Sequence, residues 1–378
     1  MEKNKIRVLF TIPNFDTAGS GKALLNVASR LNKEIFEPHI LCLHDRGAYF
    51  QVVKESGIPI HVFDYIPQER PVLKMVKQCW KVSRKLKKIN PNIIHSFHYS
   101  ANYTEAIASR MAGAKWTFTK KNMSWGGSSK NAWKLRSMLA KKIAVQNTDM
   151  VKQFYPNSNK TLLIPRGVVI EQFEQRTPNP EIRRSMRTTS DKRILICVAN
   201  FVPVKGIETL IEAFETLRTE FSNWVLWLVG DDDNDYGRRL HKMVNEKNMN
   251  DMIVFSGKQM QVVDYLNHAE IFILPTLDEG RREGSPVAML EAMANGKVVV
   301  GSNIPGVKDQ MKDKPDHLFH AGDVAALIEK LKPLMAKSRE ELKQIGEKFY
   351  NLAATEYTIE KEVEKHEEMY RKMMGLPN

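Results

Sequence analysis

The sequence predicts an α/β protein made of two domains in tandem, each a parallel sheet covered by helices. Three observations predict it. The chain, at 378 residues, exceeds the usual size of one compact domain. Short apolar runs alternate with amphipathic stretches, as expected of strands buried on both faces and joined by crossover helices. That alternation fails once, between Arg166 and Lys192, and then restarts.

In chain order, Ile6 to Ile12 reads as a strand, Lys22 to Leu31 as a helix, and Pro38 to Leu43 and Ile58 to Phe63 as strands. The segment Val72 to Lys88 has Met75, Cys79, Val82 and Leu86 at helical spacing, with lysines and arginines between them. Asn90-Pro91-Asn92 breaks that helix before the apolar run Ile93 to Phe97. Lys115 to Thr119 and Lys142 to Gln146 complete six strands, and Thr161 to Pro165 closes the half.

No period persists from Arg166 to Lys192, where Pro178 and Pro180 fall among Arg, Thr and Ser, and the linker is placed at 176–192. Strands then follow at Arg193–Ala199, Trp224–Val229, Ile253–Phe255, Ile271–Leu274 and Val298–Gly301. Helices are expected at Ile207–Thr219, Tyr236–Lys247, Val262–His268, Pro286–Ala294 and Val324–Lys337. The expected domains are residues 1–175 and 193–357, with a charged tail helix at 358–378 carrying a partial apolar stripe.

Bulk properties narrow the function classes. Cys42, Cys79 and Cys197 lie far apart among apolar residues, which suits buried thiols in a reducing compartment better than metal ligands or disulfides. No apolar run approaches the ~18–20 residues that span a bilayer. Met1 to Lys5 runs directly into the first strand without a leader-like core, so a cytoplasmic location is expected. The formal net charge of +13 favours anionic partners without choosing among them. No base-reading or single-strand-binding motif accompanies the basic residues, so nucleic acid is not expected as a partner.

The segment Pro275 to Pro305 carries the chemistry. It begins where a predicted strand ends, and open parallel sheets bind ligands outside the carboxyl ends of their strands. Glu283 and Glu291 stand seven residues apart, with Gly284 and Ser285 after the first and Pro286 suited to open a helix. Bare amides and the helix dipole at such a start favour a phosphate. Carboxylates accept two hydrogen bonds at once, so vicinal diols are their natural neutral partners. A nucleotide sugar, with a diol at each end and a diphosphate between, matches that pattern.

The run Glu283-Gly284-Ser285-Pro286-Val287-Ala288-Met289-Leu290-Glu291-Ala292-Met293-Ala294-Asn295-Gly296 resembles the E-x7-E signature of retaining glycosyltransferases of the GT-B fold, specifically family 4. Val298 to Ser302 and Ile304-Pro305-Gly306-Val307 continue the pattern. The loop Ala199-Asn200-Phe201-Val202-Pro203-Val204-Lys205-Gly206 is similar to the family's donor-phosphate loop, and Leu228-Val229-Gly230-Asp231 to its next strand end. The resemblance implies two Rossmann-like domains facing a central cleft, donor held by the second and acceptor by the first. It implies a C-terminal helix that crosses back to the first. Lys205 would meet the diphosphate, Glu283 the sugar hydroxyls and Glu291 the ribose. Gly257 resembles the turn beside the nucleobase, and Gly19, in Asp16-Thr17-Ala18-Gly19-Ser20-Gly21-Lys22, the glycine-rich turn that approaches donor and acceptor. The nucleotide-diphosphate sugar would be a co-substrate, with no cofactor or metal expected.

Two departures stand out. Relatives usually carry an arginine just before the loop lysine, where this chain has Asn200 and Val202, and Arg281 or Arg282 are candidate substitutes. Where some relatives end the fifth strand with histidine, this chain reads Phe118-Thr119-Lys120-Lys121-Asn122, leaving His98 as the nearest catalytic candidate. The missing arginine motivates an alternative, a non-catalytic nucleotide-sugar-binding partner subunit. Asp231 to Asp233 is read as a solvated turn, since consecutive acids rarely converge on one ion. The basic helix at 72–88 is read as an ordinary sheet-covering helix, with docking on an anionic membrane bearing a lipid-linked acceptor as the rival.

Overall fold

The computed structural model describes residues 5–16, 18–47, 49–124, 130–280 and 283–377. They form two compact units: one ends at Pro165 and resumes at Ile359, and the other spans Arg166–Thr358.

The first unit is built on seven parallel strands: β1 (Ile6–Thr11), β2 (Phe36–Cys42), β3 (Ile60–Val62), β4 (Ile93–Ser96), β5 (Lys115–Lys120), β6 (Lys142–Val145) and β7 (Thr161–Leu163). Their order is β3-β2-β1-β4-β5-β6-β7, so the winding reverses between β1 and β4. The basic segment forms the helix Val72–Ile89, which buries Met75, Cys79, Val82 and Leu86 as its spacing predicts. The glycines read as a turn before the first helix instead lie in its first turn, because the helix begins at Ala18 and runs to Arg30.

The tail completes this unit. The helix Ile359–Met374 buries Val363, Met369, Tyr370 and Met373. His95 Nδ1 lies 2.6 Å from the Tyr370 hydroxyl, and His95 Nε2 lies 2.8 Å from Thr119 Oγ1. Lys115 Nζ donates to the Met373 carbonyl at 2.8 Å. These buried polar contacts fix the helix in one register, because an unpaired buried donor or acceptor costs roughly 1–3 kcal/mol.

The second unit holds six parallel strands: β8 (Arg193–Val198), β9 (Trp224–Val229), β10 (Ile253–Phe255), β11 (Ile271–Leu274), β12 (Val298–Ser302) and β13 (Leu318–Phe319). Their order is β10-β9-β8-β11-β12-β13, with the reversal between β8 and β11. Every residue of β8, β9, β11 and β12 is buried, which is why these strands read as unbroken apolar runs.

The stretch 176–192, read as a linker, belongs to this unit. It contains the helix Pro180–Ser185, capped by the Asn179 side chain. Met186 enters the core, and Thr188 Oγ1 accepts from Trp227 Nε1 at 3.0 Å. Helical period is invisible there because only about a turn and a half forms. The helix Arg339–Glu356 also escaped the sequence reading, although Ser338 and Glu341 form a reciprocal capping box at its start. Within the unit Val168 pairs with Thr358, so the chain's first entry and last exit run side by side. All three cysteines are free and buried. Among the described residues no helix is long and apolar enough to cross a membrane.

Candidate active site

The carboxyl edge of the second sheet gathers the loops that follow β8, β9, β10 and β11, with the reversal of strand order at β8 and β11 opening a crevice between their loops. After β8, residues Pro203–Lys205 make one 3₁₀ turn that ends at Gly206 in the left-handed region, φ 61°. A Cβ at Gly206 would lie 2.3 Å from the Pro275 carbonyl oxygen, so only glycine lets the two loops touch. Leu277 N donates to the Val204 carbonyl at 2.8 Å and stitches them again.

That stitching sets Lys205 against Glu283. Lys205 Nζ is hydrogen-bonded and ion-paired with Glu283 Oε1, and the side chains are 19% and 16% exposed. Thr276 Oγ1 donates to the same carboxylate oxygen at 3.3 Å. The pair is therefore shielded but reachable, and its lysine carries donors that a single carboxylate oxygen does not use up.

The backbone of Glu283 and Gly284 is held from the other side. Gly306 has φ 83°, and a Cβ there would lie 2.5 Å from the Gly284 carbonyl oxygen. The Ile304-Pro305-Gly306 turn thus serves as a buttress. Ser285 Oγ accepts from Arg166 N at 3.1 Å and from Gln310 Nε2 at 2.8 Å, so this side chain is engaged within the unit. Pro286 is buried and occupies the N-cap position, with helix Val287–Ala294 starting one residue later than expected. Its φ is −70° with extended ψ, which directs the chain into the helix. Glu291 is half-buried on the second turn of that helix, roughly 6 Å of rise from its start.

On the neighbouring loops, Asn200 is exposed and Phe201 buried. Gly257 follows β10 with φ 69°, and its carbonyl accepts from Gly230 N at 3.2 Å. Asp232 Oδ2 lies 2.7 Å from His241 Nε2, and the Asp231 carbonyl accepts from Asn234 Nδ2 at 2.8 Å. No group of three or more potential metal-binding side chains occurs among the described residues. Arg281 and Arg282 lie outside the described residues.

In the first unit a Cβ at Gly19 would meet nothing within 4 Å among the described residues, so their packing does not demand glycine there. Gly21 differs, since a Cβ would sit 2.8 Å from the Phe15 ring. His98 is half-buried beyond the end of β4, and its imidazole is pushed down to about 4, by burial first and then by Arg136 and Lys121. It is neutral at ordinary pH. His95, by contrast, is consumed by Tyr370 and Thr119.

The sequence reading missed three groups. Thr276 orients Glu283, and its only signal was its place two residues past the end of β11. Lys121, just after β5, donates to the Phe97 carbonyl at 2.5 Å and to Ser20 Oγ at 3.3 Å. Lys120 is buried, its ammonium pushed down to about 7 by desolvation, and it donates to the Asn122 carbonyl at 2.7 Å. Both lysines are buried, and that burial was the hidden part.

The two Rossmann-like parallel-sheet units and the family patterns that the chain matches make it a glycosyltransferase of GT-B fold. The chain belongs to glycosyltransferase family 4. The pattern of the Glycosyltransferase Family 4 domain matches residues 17–171, and that of Glycosyl transferases group 1 matches residues 178–351. The capsular polysaccharide biosynthesis glycosyltransferase CapH of Staphylococcus aureus is 24% identical, over 79% of this chain and 82% of its own. A Rickettsia africae ESF-5 glycosyltransferase structure superposes with TM-score 0.84 at 18% identity, covering 98% of this chain and 99% of that one. Anabaena Alr3699/HepE in complex with UDP and glucose superposes with TM-score 0.82 at 17% identity, covering 97% and 99%.

Proposed function

We propose that the protein is a retaining glycosyltransferase that moves a sugar from a nucleotide-diphosphate sugar to a sugar or lipid-linked acceptor used in polysaccharide assembly. The Lys205–Glu283 pair carries this reading. An ammonium held beside a carboxylate at a strand-end loop offers charge to a departing diphosphate and hydrogen-bond acceptors to sugar hydroxyls in one place. Donor binding exchanges part of the ion pair for phosphate on the lysine and hydroxyls on Glu283. Glu291 takes the ribose, the Gly257 turn flanks the base, and the segment Gly284–Pro286 presents the start of its helix to the phosphates.

In the proposed mechanism the acceptor hydroxyl attacks from the face the diphosphate leaves, and a donor phosphate oxygen takes the acceptor proton. Lys205 then stabilises the new charge on the nucleotide diphosphate, and no protein nucleophile is required. The name of CapH motivates the polysaccharide class, and the UDP bound to HepE motivates a uridine diphosphate donor. The test combines a thermal-shift screen of nucleoside diphosphates and their sugars with turnover assays. Stabilisation by one nucleotide class, with turnover abolished in Glu283→Ala, supports the enzyme. Donor stabilisation with no turnover by wild type on any acceptor supports the non-catalytic subunit instead. Retention is read from the anomeric configuration of the product by NMR.

A membrane-docked form of this enzyme has its own supporting observation. On helix Val72–Ile89 the outward face carries Leu73, 87% exposed, and Trp80, 49% exposed, with Val72 and Val76 beside them. Lys74, Lys77, Lys81 and Arg84 share that helix. Apolar side chains flanked by cations suit the interface of an anionic bilayer, where a lipid-linked acceptor resides. Sedimentation with phosphatidylglycerol vesicles, but not with neutral vesicles, that is lost in Leu73→Ser/Trp80→Ser supports this. Equal binding to both vesicle types removes it.

A further inference from the structure

The amino edge of the second sheet, opposite the edge that bears Lys205 and Glu283, holds a second feature. A cavity of about 490 Å³ opens there beside the starts of β11 and β12. Arg183, Lys297, Arg339 and Lys343 line it, with Glu270 as its one carboxylate. That carboxylate is already committed. Arg193 donates to it through Nε at 2.8 Å and also through Nη2, and Arg339 Nε lies 3.3 Å from its other oxygen.

The remaining cations lack such a partner. Among the described residues none of Arg183, Lys297 and Lys343 is ion-paired with a carboxylate, and the Lys297 ammonium makes no hydrogen bond. Lys297 is only 3% exposed. Arg183 spends its guanidinium on the carbonyls of Thr189 and Lys192, which neutralise nothing. Four cations around one shared carboxylate repel one another, and a buried ammonium without a counter-ion is costly. Burial pushes the Lys297 ammonium down to about 8, even with Glu270 opposing it.

We propose that this cavity binds a phosphate group, either free or carried by a small molecule, with Lys297 at its floor and Arg183, Arg339 and Lys343 around it. The volume falls in the range of small-molecule sites, and a multiply charged oxyanion is the chemistry that lone ammonium and guanidinium groups recognise. The site is separate from the donor site and does not depend on the reading of that site.

The test is thermal shift on the full chain with inorganic phosphate, pyrophosphate and glucose 1-phosphate in parallel, in wild type and in Lys205→Met, which disables the opposite edge. At about a hundred times Kd the melting temperature is expected to rise by about 3 °C or more, in Lys205→Met as in wild type. Lys297→Met, of similar volume, is expected to melt higher than wild type without ligand and to lose the rise. Arg339→Gln and Lys343→Gln, at the cavity's rim, are each expected to weaken binding about tenfold by calorimetry. The relative affinity for free phosphate and for glucose 1-phosphate assigns the source of the group. An undiminished rise in Lys297→Met, or no rise with any of the three anions in Lys205→Met, overturns the proposal.

Discussion

Gly206 and Pro275 meet backbone to backbone, so closely that one methyl group on Gly206 would press within 2.3 Å of the Pro275 carbonyl oxygen. This contact joins the loop that carries Lys205 to the loop that carries Glu283. Gly206→Ala is therefore expected to do two things: lower stability by roughly 1–3 kcal/mol through strain at a positive φ, and spread the loops. Denaturant unfolding measures the first and donor titration the second, with donor affinity expected to fall about tenfold or more.

Lys205 and Glu283 are predicted to matter for turnover far more than for folding. Their pair is partly shielded at a strand-end loop, outside the apolar core. Glu283→Gln and Lys205→Met should each reduce kcat/KM by roughly a hundredfold or more, with melting temperatures within a few degrees of wild type. A variant that turns over donor at the native rate would remove the pair from the mechanism.

Gly19 offers a test of the first unit that packing does not confound. No atom of the described residues lies within 4 Å of its Cβ position, so Gly19→Ala should leave the melting temperature unchanged. Reduced turnover in that variant would report a substrate passing over the bare backbone. Turnover equal to wild type would mean that none does. Gly21→Ala serves as the contrast, because its Cβ would strike the Phe15 ring and stability should fall.

The depressed His98 imidazole makes a statement about pH. Its folded value of about 4 lies below its ordinary 6.5, so between these limits the unfolded chain binds the extra proton and the folded chain does not. Stability should accordingly fall as pH drops from about 6.5 to 4, by at most about 3 kcal/mol from this group. His98→Asn should flatten that part of the profile in denaturant titrations at pH 4.5 and 7. Over the same range the pH–rate profile should show no inflection from His98, which is already neutral.

Tyr370 ties the last helix to β4 through His95. Tyr370→Phe keeps the ring and removes the hydroxyl, leaving His95 Nδ1 without that partner. A loss of about 1–3 kcal/mol is expected, and hydrogen exchange should accelerate in helix Ile359–Met374. Unchanged exchange there would place the anchoring in the helix's other contacts, among them Lys115 Nζ with the Met373 carbonyl and the buried Met369 and Met373.

The strands were readable because each buries both faces and so is apolar throughout, as in Trp224–Val229. The helix Val72–Ile89 was readable because only one side is buried. Pro180–Ser185 was not, being too short to show a period, and the prolines beside it pointed to a linker. Glu283, Glu291, Lys205 and the glycines Gly206 and Gly306 were visible as a local pattern. Thr276 and Lys121 were not, because a threonine or lysine beside a strand looks the same whether it faces solvent or a neighbouring loop.

The amino-acid sequence by itself determined the doubled α/β architecture and the segment that bears the chemistry, since periodicity and glycine placement act over a few residues. Only the tertiary structure decided that residues 78 positions apart, Lys205 and Glu283, share a hydrogen bond. It likewise decided that Lys297 is buried among cations and that the returning tail helix meets β4 through Tyr370 and His95. These depend on which strands lie side by side: β8 beside β11, with Gly206 thin enough for their loops to touch. Adjacency of that kind is fixed by the global minimum of burial and hydrogen bonding, which no short window of residues contains.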